Sequence, residues 1–415
     1  MVEHLFRQQS GKMSAILIRI FGFQNLELIE DIIQETFLSA IKTWGMKGEP
    51  ENPEAWLMLV AKNKVINELN RKKRHSEKKE LLHYKASYNH IDDLFLDHEI
   101  KDSQLRILFA CCHPDLKIRA QIMLTLKTLS GFGDKEIANA LLMKASAVKK
   151  GIYRAKEELK AKHDHIGIPF LPEASERIDT VLTIIYLIFN EGYKTTSGKQ
   201  VINDDLCFEA IRLAGLLLET QYVDIGKICA LLSLMYLTLA RFPSRLDSNG
   251  ELIEIELQDR TKWDKRLMSL GFSFLKKSRA STTLSRYHLE SSIASIHCIA
   301  KSFGETDWSA ILYCYEKLLE LDHSFMVRFN YAIALGWAKG FELGLDELKE
   351  LEKESKSPKR SLLYSGIAEL NIQLGKFEVA KSYYQVALDQ TESNADKIFI
   401  TKKIIECDTK NINPN

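Results

Sequence analysis

The chain has 415 residues, more than one ordinary domain holds, so its length suggests about two or three domains. Hydrophobic residues make up 45% and charged residues 27% of the chain, a balance that excludes a wholly disordered protein. With 20 Gly and 8 Pro there are few turn-forming residues, so we expect long helices rather than many short strands. The formal net charge of +1 does not exclude a nucleic-acid partner, because basic residues can be concentrated locally.

We predict neither a membrane span nor a secretory leader, and therefore a cytoplasmic protein. The most apolar stretches, Val181–Phe189 and Ile228–Ala240, are shorter than the roughly 18–20 residues that a bilayer requires. Seven cysteines without a C-x-x-C pair favour reduced thiols over a disulfide framework. Cys111, Cys112 and His113 are a candidate metal cluster, but their spacing does not suit a tetrahedral site. We expect these residues to pack in the core, and we expect no metal and no cofactor.

The first hundred residues predict two amphipathic helices and a linker. Apolar residues recur at three- and four-residue steps through Leu26–Trp44 and again through Trp56–Leu69. The breaker-rich segment between Gly45 and Pro53 predicts a loop between these helices. The second helix ends in the basic run Asn70–Arg74, and the charged, weakly periodic segment His75–Asp102 is typical of a linker.

The segment Asp134–Glu158 predicts a helix-turn-helix. Asp134 can cap a short first helix, and Val148, Ile152 and Ala155 form the apolar stripe of a second helix. In DNA-binding proteins of this kind the second helix lies in the major groove. Seven basic residues follow the turn, and such a surface attracts phosphates: Lys144, Lys149, Lys150, Arg154, Lys156, Lys160 and Lys162. The alternative is an ordinary helical hairpin with a solvated basic face.

A second basic element lies at Lys62–Arg74. Six cations there are interleaved with three amides, and only Glu68 opposes them: Lys62, Lys64, Arg71, Lys72, Lys73, Arg74, with Asn63, Asn67 and Asn70. Amides can hydrogen-bond base edges, cations hold phosphates, and an aromatic ring such as Trp56 can stack on an unpaired base. A solvated helix end with lysines favoured by the helix dipole is the alternative. Two basic helices together indicate a protein that touches DNA at two places.

From Ala174 onward the chain is helical and more hydrophobic, and its last hundred residues contain a weak repeat. The segments Leu335–Leu348 and Leu374–Leu388 align with a period typical of tetratricopeptide units. Turns are predicted at Gly340–Phe341 and Gly375–Phe377. A generic array of helical hairpins is the alternative to tetratricopeptide repeats.

A polar cluster in the same extension permits an enzyme interpretation. It could line a pocket in which paired carboxylates act as acid and base, and its members are Asn190, Glu191, Tyr193, Arg241, Arg245, Asp247, Gln258, Asp259, Arg260 and Asp264. No Ser/His/Asp order, metal spacing or glycine-rich phosphate loop accompanies these residues. Ion pairs that fix helix packing explain the same residues, so we predict no catalytic site.

These motifs resemble a known family. IEDIIQETFLSAIKTW (Ile29–Trp44), NPEAWLMLVAKNKVINELNRKKR (Asn52–Arg74) and the helix-turn-helix are similar to the two domains of sigma-70 family initiation factors of the extracytoplasmic-function type. The remainder resembles the group with a long tetratricopeptide-like extension, in the blocks CCHPDL (Cys111–Leu116), YLIFNEGY (Tyr186–Tyr193), ARFPSRLDSNGEL (Ala240–Leu252), LQDRTKWD (Leu257–Asp264) and TDWSAILYCYEKLL (Thr306–Leu319).

The resemblance implies binding residues for polymerase and for the promoter −10 element. Asp31, Gln34 and Glu35 match the helix that docks on the clamp coiled coil of the largest polymerase subunit, and the flap of the second subunit is a further expected contact. The positions that match the −10-binding helix are Trp56, Lys62, Asn63, Asn67, Arg71 and Arg74. The loop Gly45–Asn52 matches the loop that captures a flipped base of the melted strand.

The resemblance also implies −35 recognition by the second helix of the helix-turn-helix. Ser146, Lys149, Lys150 and Arg154 match the residues that read this element in the duplex. Gly151 stands where the family usually has Arg, which removes an expected phosphate contact. Asn67 stands where the family frequently has Asp, and Asn70 stands where it frequently has Arg. The resemblance therefore does not determine which promoter sequence is recognised.

Together these observations predict an all-α transcription initiation factor in five segments. They are a sigma region 2 domain (1–75), a linker (76–102), a sigma region 4 domain (103–165), a helical extension (174–300) and tetratricopeptide-like repeats (301–410). We expect partners in core RNA polymerase and in promoter DNA, both double- and single-stranded, and a possible protein partner for the extension, which would control activity in cis. The alternatives are a tetratricopeptide-like scaffold with degenerate DNA-binding domains, and a small-molecule enzyme seated in Ala174–His297.

Overall fold

The computed structural model of the chain describes residues 2–74, 97–141, 143–162, 171–193, 204–219, 223–247, 253–354, 360–391 and 394–412. The described ranges are predominantly helical and contain no β-strand, so the predicted all-α fold is confirmed. The helices form two compact units, Met1–Gly192 with Phe208–Val223, and Tyr193–Cys207 with Asp224–Asn415.

The described residues of the first unit form nine helices, the last two of which cross the division between the units. Their bounds are α1 Val2–Phe21, α2 Leu26–Lys47, α3 Pro53–Arg74, α4 Asp97–Cys111, α5 Ile118–Thr128, α6 Asp134–Ala140, α7 Ala145–Lys162, α8 Leu171–Tyr193 and α9 Asp204–Leu217.

Helix α1 is central to this unit because nearly all of its second half is buried. Its second half contains Met13, Ile16, Leu17 and Ile20, all buried, and a helix of this kind is covered all round. It packs against α2 and α3 and also against α4 and α5. Gly11 permits the approach to α5, because a Cβ atom there would lie 1.8 Å from the carbonyl oxygen of Leu129.

The compact units differ from the predicted segmentation. The predicted domains 1–75 and 103–165 lie in the same unit, and α4 begins at Asp97, inside the segment 76–102 predicted as a linker. Residues 75–96 lie outside the described residues. Helix α8 begins at Leu171 and largely belongs to the first unit, whereas the sequence places the start of the extension at 174. The five-segment division itself stays a prediction.

The second unit contributes nine further helices to the part of the chain that the structure describes. Their bounds are α10 Ile225–Leu239, α11 Lys265–Ser278, α12 Arg286–Ile299, α13 Trp308–Leu321, α14 Phe325–Lys339, α15 Phe341–Glu354, α16 Arg360–Gln373, α17 Phe377–Asp389 and α18 Asn394–Ile412. Helix α10 packs against α11 and α12. Its N-terminus is capped by Asp224, which accepts a hydrogen bond from the backbone N–H of Gly226 at 2.9 Å.

Helix α10 is also the most apolar helix of this unit. The described residues include one segment, Ile225–Ser244, that is long and apolar enough to cross a membrane. Of an apolar stretch of 18 residues within it, 67% is buried inside the structure. The core helix of a soluble protein meets the same criteria of length and composition. Its packing against α11 and α12 is that of a core helix.

Helices α13 to α18 form a series in which each helix packs against the next. The turns predicted from the repeat are present: Gly340 ends α14 with a φ of 127°, and Gly375 follows α16 with a φ of 70°. Positive φ angles favour glycine at both positions. On α17, Ala380 and Tyr384 are buried. The local helix pattern is thus confirmed, while the tetratricopeptide assignment stays a prediction.

Candidate nucleic-acid interface

The predicted polymerase-docking residues share the exposed face of α2. Asp31, Gln34 and Glu35 are exposed, while Ile29, Ile32, Ile33, Thr36, Phe37 and Ala40 on the other side are buried. Their three- and four-residue spacing accounts for this arrangement. The Glu35 carboxylate lies 3.7 Å from the Nζ atom of Lys64 on α3, which places the docking face beside the predicted −10-binding helix.

The predicted −10 residues lie on the polar side of α3. Leu57, Met58, Ala61 and Val65 bury the opposite side, and Asn63, Asn67 and Arg71 are exposed. Arg71 forms an ion pair of 2.9 Å with Glu68, one turn earlier. Lys62 is half-buried, and this burial lowers its pKa. Arg74 is the last residue of α3, and its side chain lies outside the described residues.

Trp56 lies at the start of α3 and contacts a second tryptophan. Its ring centroid is 5.4 Å from that of Trp44 in an edge-to-face arrangement, so part of Trp56 is engaged within the protein. The predicted loop Gly45–Asn52 begins later than expected, because α2 continues through Lys47 and ends at Gly48. Gly48 has a φ of 82°, and its N–H donates to the carbonyl oxygen of Trp44. Glycine at 48, rather than glycine at 45, therefore terminates the helix.

The helix-turn-helix is present as α6 and α7. Val148, Ile152 and Ala155 form the buried stripe of α7, as the sequence predicts, with Leu159 extending it. The predicted −35 residues Ser146, Lys149, Lys150 and Arg154 are all exposed on the other side. Tyr153, which sequence reasoning missed, is 55% exposed among them. Helix α7 therefore has a basic outer surface.

Two sequence interpretations of the helix-turn-helix are wrong. Asp134 is the first residue of α6 rather than its cap, and its carboxylate pairs with Lys127 at 2.9 Å. Lys156 does not contribute to a phosphate-binding surface, because its side chain is 7% exposed and lies 2.7 Å from Glu30 of α2. The side chains of Lys160 and Lys162 lie outside the described residues.

Gly151 also has a structural explanation. A Cβ atom at this position would lie 2.5 Å from the Cε atom of Met123 on α5. The position faces a neighbouring helix of the same domain, so an arginine there would first have to displace Met123. The atom that a side chain at 151 would meet is the flexible end of Met123, which can move aside, so the structure adds a close α5–α7 contact to the lost phosphate contact that the resemblance implies.

The cysteine pair belongs to the core, as expected. Cys111 and Cys112 are fully buried, and burial raises the pKa of Cys112 to about 12 and that of Cys111 well above its usual range. The prediction that these cysteines pack in the core is therefore confirmed.

Two carboxylates of the polar cluster in the extension cap helical segments. Asp259 and Asp264 are used as caps of the helical turn Arg260–Lys262 and of α11. Arg260 donates to the carbonyl oxygens of His297 at 2.6 Å and Ala300 at 2.8 Å. Asp259 and Asp264 thus each have a local structural partner, and they do not form an acid–base pair with each other.

Aromatic rings complete this cluster. The guanidinium groups of Arg241 and Arg260 lie 5.6 Å and 5.0 Å from the ring centroid of Trp263. Arg245 lies 3.4 Å from the ring centroid of Tyr193. The described contacts of the cluster are caps, carbonyl hydrogen bonds and cation–π contacts, together with an ion pair of 3.7 Å between Asp259 and Lys262.

Comparisons with known proteins first identify one domain of the chain. Residues 5–75 match the family Sigma-70 region 2, so the chain carries a sigma-70 region 2 domain that comprises α1 to α3. This domain supports a sigma-factor-like role in transcription initiation, with binding to core RNA polymerase and promoter DNA. Sigma-70 proteins are non-enzymatic transcription factors. Residues 177–279 match a family of unknown function, DUF6596.

A second comparison covers most of the chain. An uncharacterized protein of Rhizobium meliloti (strain 1021) is 34% identical over 336 residues, which cover 79% of this chain and 78% of that protein. The chain therefore belongs to the same family as this Rhizobium protein. No solved structure matches the chain significantly.

Proposed function

We propose that the protein is an extracytoplasmic-function-type sigma factor that binds core RNA polymerase, recognises −35 and −10 elements and promotes melting of the latter. The observation that carries this proposal is the pair of basic helical surfaces, α3 within the sigma-70 region 2 match and α7 in a helix-turn-helix. It performs no covalent chemistry of its own, and it acts in the cytoplasm with polymerase as its partner.

The exposed positions of several residues support the roles that we propose for them. Asp31, Gln34 and Glu35 form an acidic and polar docking face on α2, which suits a basic surface of the polymerase clamp. The amides of Asn63 and Asn67 are available to base edges, and Arg71 and Arg74 provide positive charge for the strand backbone.

The exposed side chains of α7 suit the duplex. Lys149, Lys150 and Arg154 can neutralise phosphates, and Ser146 lies at the N-terminal end of the helix, which enters the groove first. The α5–α7 packing that Gly151 permits holds this helix on its domain. The second unit, with its tetratricopeptide-like helices, would control activity in cis or bind a protein partner.

Reciprocal variants of the full-length chain test the two roles. Asp31→Ala should weaken binding to core polymerase by about tenfold, because it removes a charge from the docking face while leaving the DNA surfaces intact. Arg71→Ala combined with Arg74→Ala should leave polymerase binding within about twofold and reduce promoter opening by about tenfold or more. Polymerase binding is measured by titration of labelled protein, and opening by permanganate reactivity of unpaired thymines.

Each variant serves as the control for the other. Loss of both activities in the Arg71 and Arg74 double variant would contradict the assignment of these residues to DNA. Unchanged polymerase affinity in the Asp31 variant would contradict the docking face.

A further inference from the structure

Three arginines of the second unit lie together beside one tryptophan. The guanidinium groups of Arg241 and Arg260 share the ring of Trp263, at 5.6 Å and 5.0 Å from its centroid. The third, Arg245, follows Arg241 by one short helical turn, Phe242–Ser244. We refer to Arg241, Arg245 and Arg260 as the arginine cluster.

The aromatic rings that contact the arginine cluster hold its side chains in place. Trp263 is 2% exposed, and its Nε1–H group donates a hydrogen bond of 2.7 Å to the hydroxyl group of Ser244. The guanidinium group of Arg245 lies 3.4 Å from the ring centroid of Tyr193. A guanidinium group that stacks on a fixed ring loses little further freedom when a ligand binds, so these donors are pre-organised.

The arginine cluster has an excess of positive charge. Among the residues that the structure describes, no carboxylate lies within ion-pair distance of its three guanidinium groups. Burial lowers the pKa of Arg245 and of Arg260, and the nearby charge of Arg241 lowers both further. The carboxylate of Glu305 attracts Arg260, but its hydrogen bond is to the hydroxyl group of Ser302. An anion that binds here would therefore relieve repulsion among the arginines.

Two aspartates close to these arginines in the sequence have other structural roles. Asp259 caps the helical turn Arg260–Lys262 and pairs with Lys262 at 3.7 Å. Asp264 caps α11 and accepts a hydrogen bond of 2.8 Å from the backbone N–H of Arg266. Neither carboxylate therefore neutralises the arginine cluster.

Several N–H groups of the arginine cluster are available to a ligand. Arg241 donates from its Nε atom to the side chain of Gln258 at 3.3 Å, and the described residues give its terminal nitrogens no acceptor. The Nη1 atom of Arg245 is buried without a hydrogen-bond partner in the described part of the chain, which is costly unless a ligand accepts from it. Arg260, by contrast, donates to two backbone carbonyl groups, at 2.6 Å and 2.8 Å. Arg241 and Arg245 can thus bind a ligand directly, while Arg260 adds positive charge.

We propose that the arginine cluster is a binding site for the phosphate group of a small ligand, with Arg241 and Arg245 as its direct contacts. Guanidinium groups bind phosphate through pairs of parallel hydrogen bonds. A phosphate dianion also brings more negative charge and more acceptor oxygens than a single carboxylate, which suits three arginines without a counter-charge. The site lies within the second unit and does not depend on the sigma-factor function.

Fluorine NMR of the full-length protein, labelled with 5-fluorotryptophan, tests the site. The chain has five tryptophans, so Trp→Phe variants of the other four identify the Trp263 signal. Titration with inorganic phosphate at low ionic strength should shift this signal saturably with a Kd below about 1 mM, because Trp263 contacts two of the three arginines. The signals of Trp44 and Trp56 report phosphate bound near the basic helix α3 and should not follow the same binding curve.

Matched variants and a second anion make the test specific. Arg241→Gln and Arg245→Gln should each weaken phosphate binding by about tenfold or more. Arg279→Gln removes an exposed arginine after α11 and should leave the Kd within about twofold. Malonate, which offers carboxylates instead, should bind the wild type at least about fivefold more weakly than phosphate. Circular dichroism checks folding, and Arg245→Lys, which keeps the charge but loses the planar fork, should weaken binding by about fivefold if the glutamine variants do not fold.

The wild-type titration is decisive even if no variant folds. Absence of a saturable Trp263 shift would overturn the site. Unchanged affinity in folded Arg241 and Arg245 variants would also overturn it, because phosphate would then bind elsewhere. Malonate binding as tight as phosphate binding would overturn the assignment to a phosphate group. The sigma-factor function is measured separately by transcription, so none of these results decides it.

Discussion

His297 shows how the second unit uses a titratable residue for packing. Burial, together with the neighbouring guanidinium groups of Arg241 and Arg260, lowers the pKa of this imidazole to about 3. The ring packs edge-to-face on Trp308, with centroids 5.5 Å apart. The histidine is therefore neutral in the folded protein throughout the physiological range and acts as part of an aromatic core.

This lowered pKa predicts a specific acid sensitivity. The unfolded chain takes up a proton at His297 near pH 6.5 and the folded chain only near pH 3, so stability is lost as the pH falls through this window. The loss from this residue should approach about 1.4 kcal/mol per pH unit. His297→Phe keeps the ring contact and removes the proton, so urea unfolding at about pH 7 and pH 5 should show a weaker pH dependence in the variant. Identical pH dependence in the two proteins would contradict the assigned burial.

Single residues also show how far the sequence determines the site. The periodicity of α7 correctly predicted that Val148 and Ile152 are buried, because a 3.6-residue repeat fixes which side chains share a face. The sequence pattern grouped Lys156 with the phosphate-binding cations, because charge alone does not reveal an ion-pair partner 126 positions away. Gly151 was interpreted as a lost contact for the same reason, since only the structure shows Met123 above it.

At the scale of elements, α1 and α5 approach through a glycine. Gly11 allows the backbone of α1 to lie against the carbonyl group of Leu129, an approach that no side chain permits. Gly45, near the end of α2, offers a matched control, because a Cβ atom added there would meet no atom of the described residues within 4 Å.

The two glycines should respond in opposite ways to alanine. Gly11→Ala should destabilise the protein by about 1–3 kcal/mol, because the added methyl group overpacks the contact between α1 and the end of α5. Gly45→Ala should stabilise it by up to about 1 kcal/mol, because alanine is the better helix former. Thermal unfolding followed by circular dichroism measures both changes. A Gly11 variant as stable as the wild type would show that the helices do not approach this closely.

Helix boundaries show what periodicity leaves undetermined. The sequence predicts that the first helix ends at Trp44, because Gly45 follows. In the structure the helix continues to Lys47 and ends at Gly48. A glycine within a helix costs only about 1 kcal/mol relative to alanine, which packing of Phe37 and Trp44 outweighs. In the last six helices the predicted turns at Gly340 and Gly375 were correct. Both positions have a positive φ angle, which favours glycine, so glycine in the sequence indicated these turns.

At the scale of the whole molecule, the predicted region 2 and region 4 domains belong to one compact unit. Sequence patterns could find each domain, because each has its own amphipathic helices. Sequence patterns could not predict how the two domains pack together, because this packing depends on contacts between distant segments such as α1 and α4. The same limit applies to α8 and α9, which the sequence assigned to the extension and which largely belong to the first unit.

This arrangement also determines how the extension can be tested. The first unit includes Phe208–Val223, and the second includes Tyr193–Cys207, so no single cut separates them. Control by the extension is therefore better tested by substitutions in the full-length chain than by truncation.

The central claim is that this protein directs initiation by RNA polymerase, and run-off transcription tests it most directly. Full-length protein is combined with core polymerase and a pool of upstream genomic fragments, with the Arg71→Ala and Arg74→Ala double variant as control. The account predicts discrete transcripts that depend on the added protein and that fall by about tenfold or more in the double variant. Absence of any protein-dependent transcript from a folded, polymerase-bound sample would contradict the sigma-factor function and favour a helical scaffold.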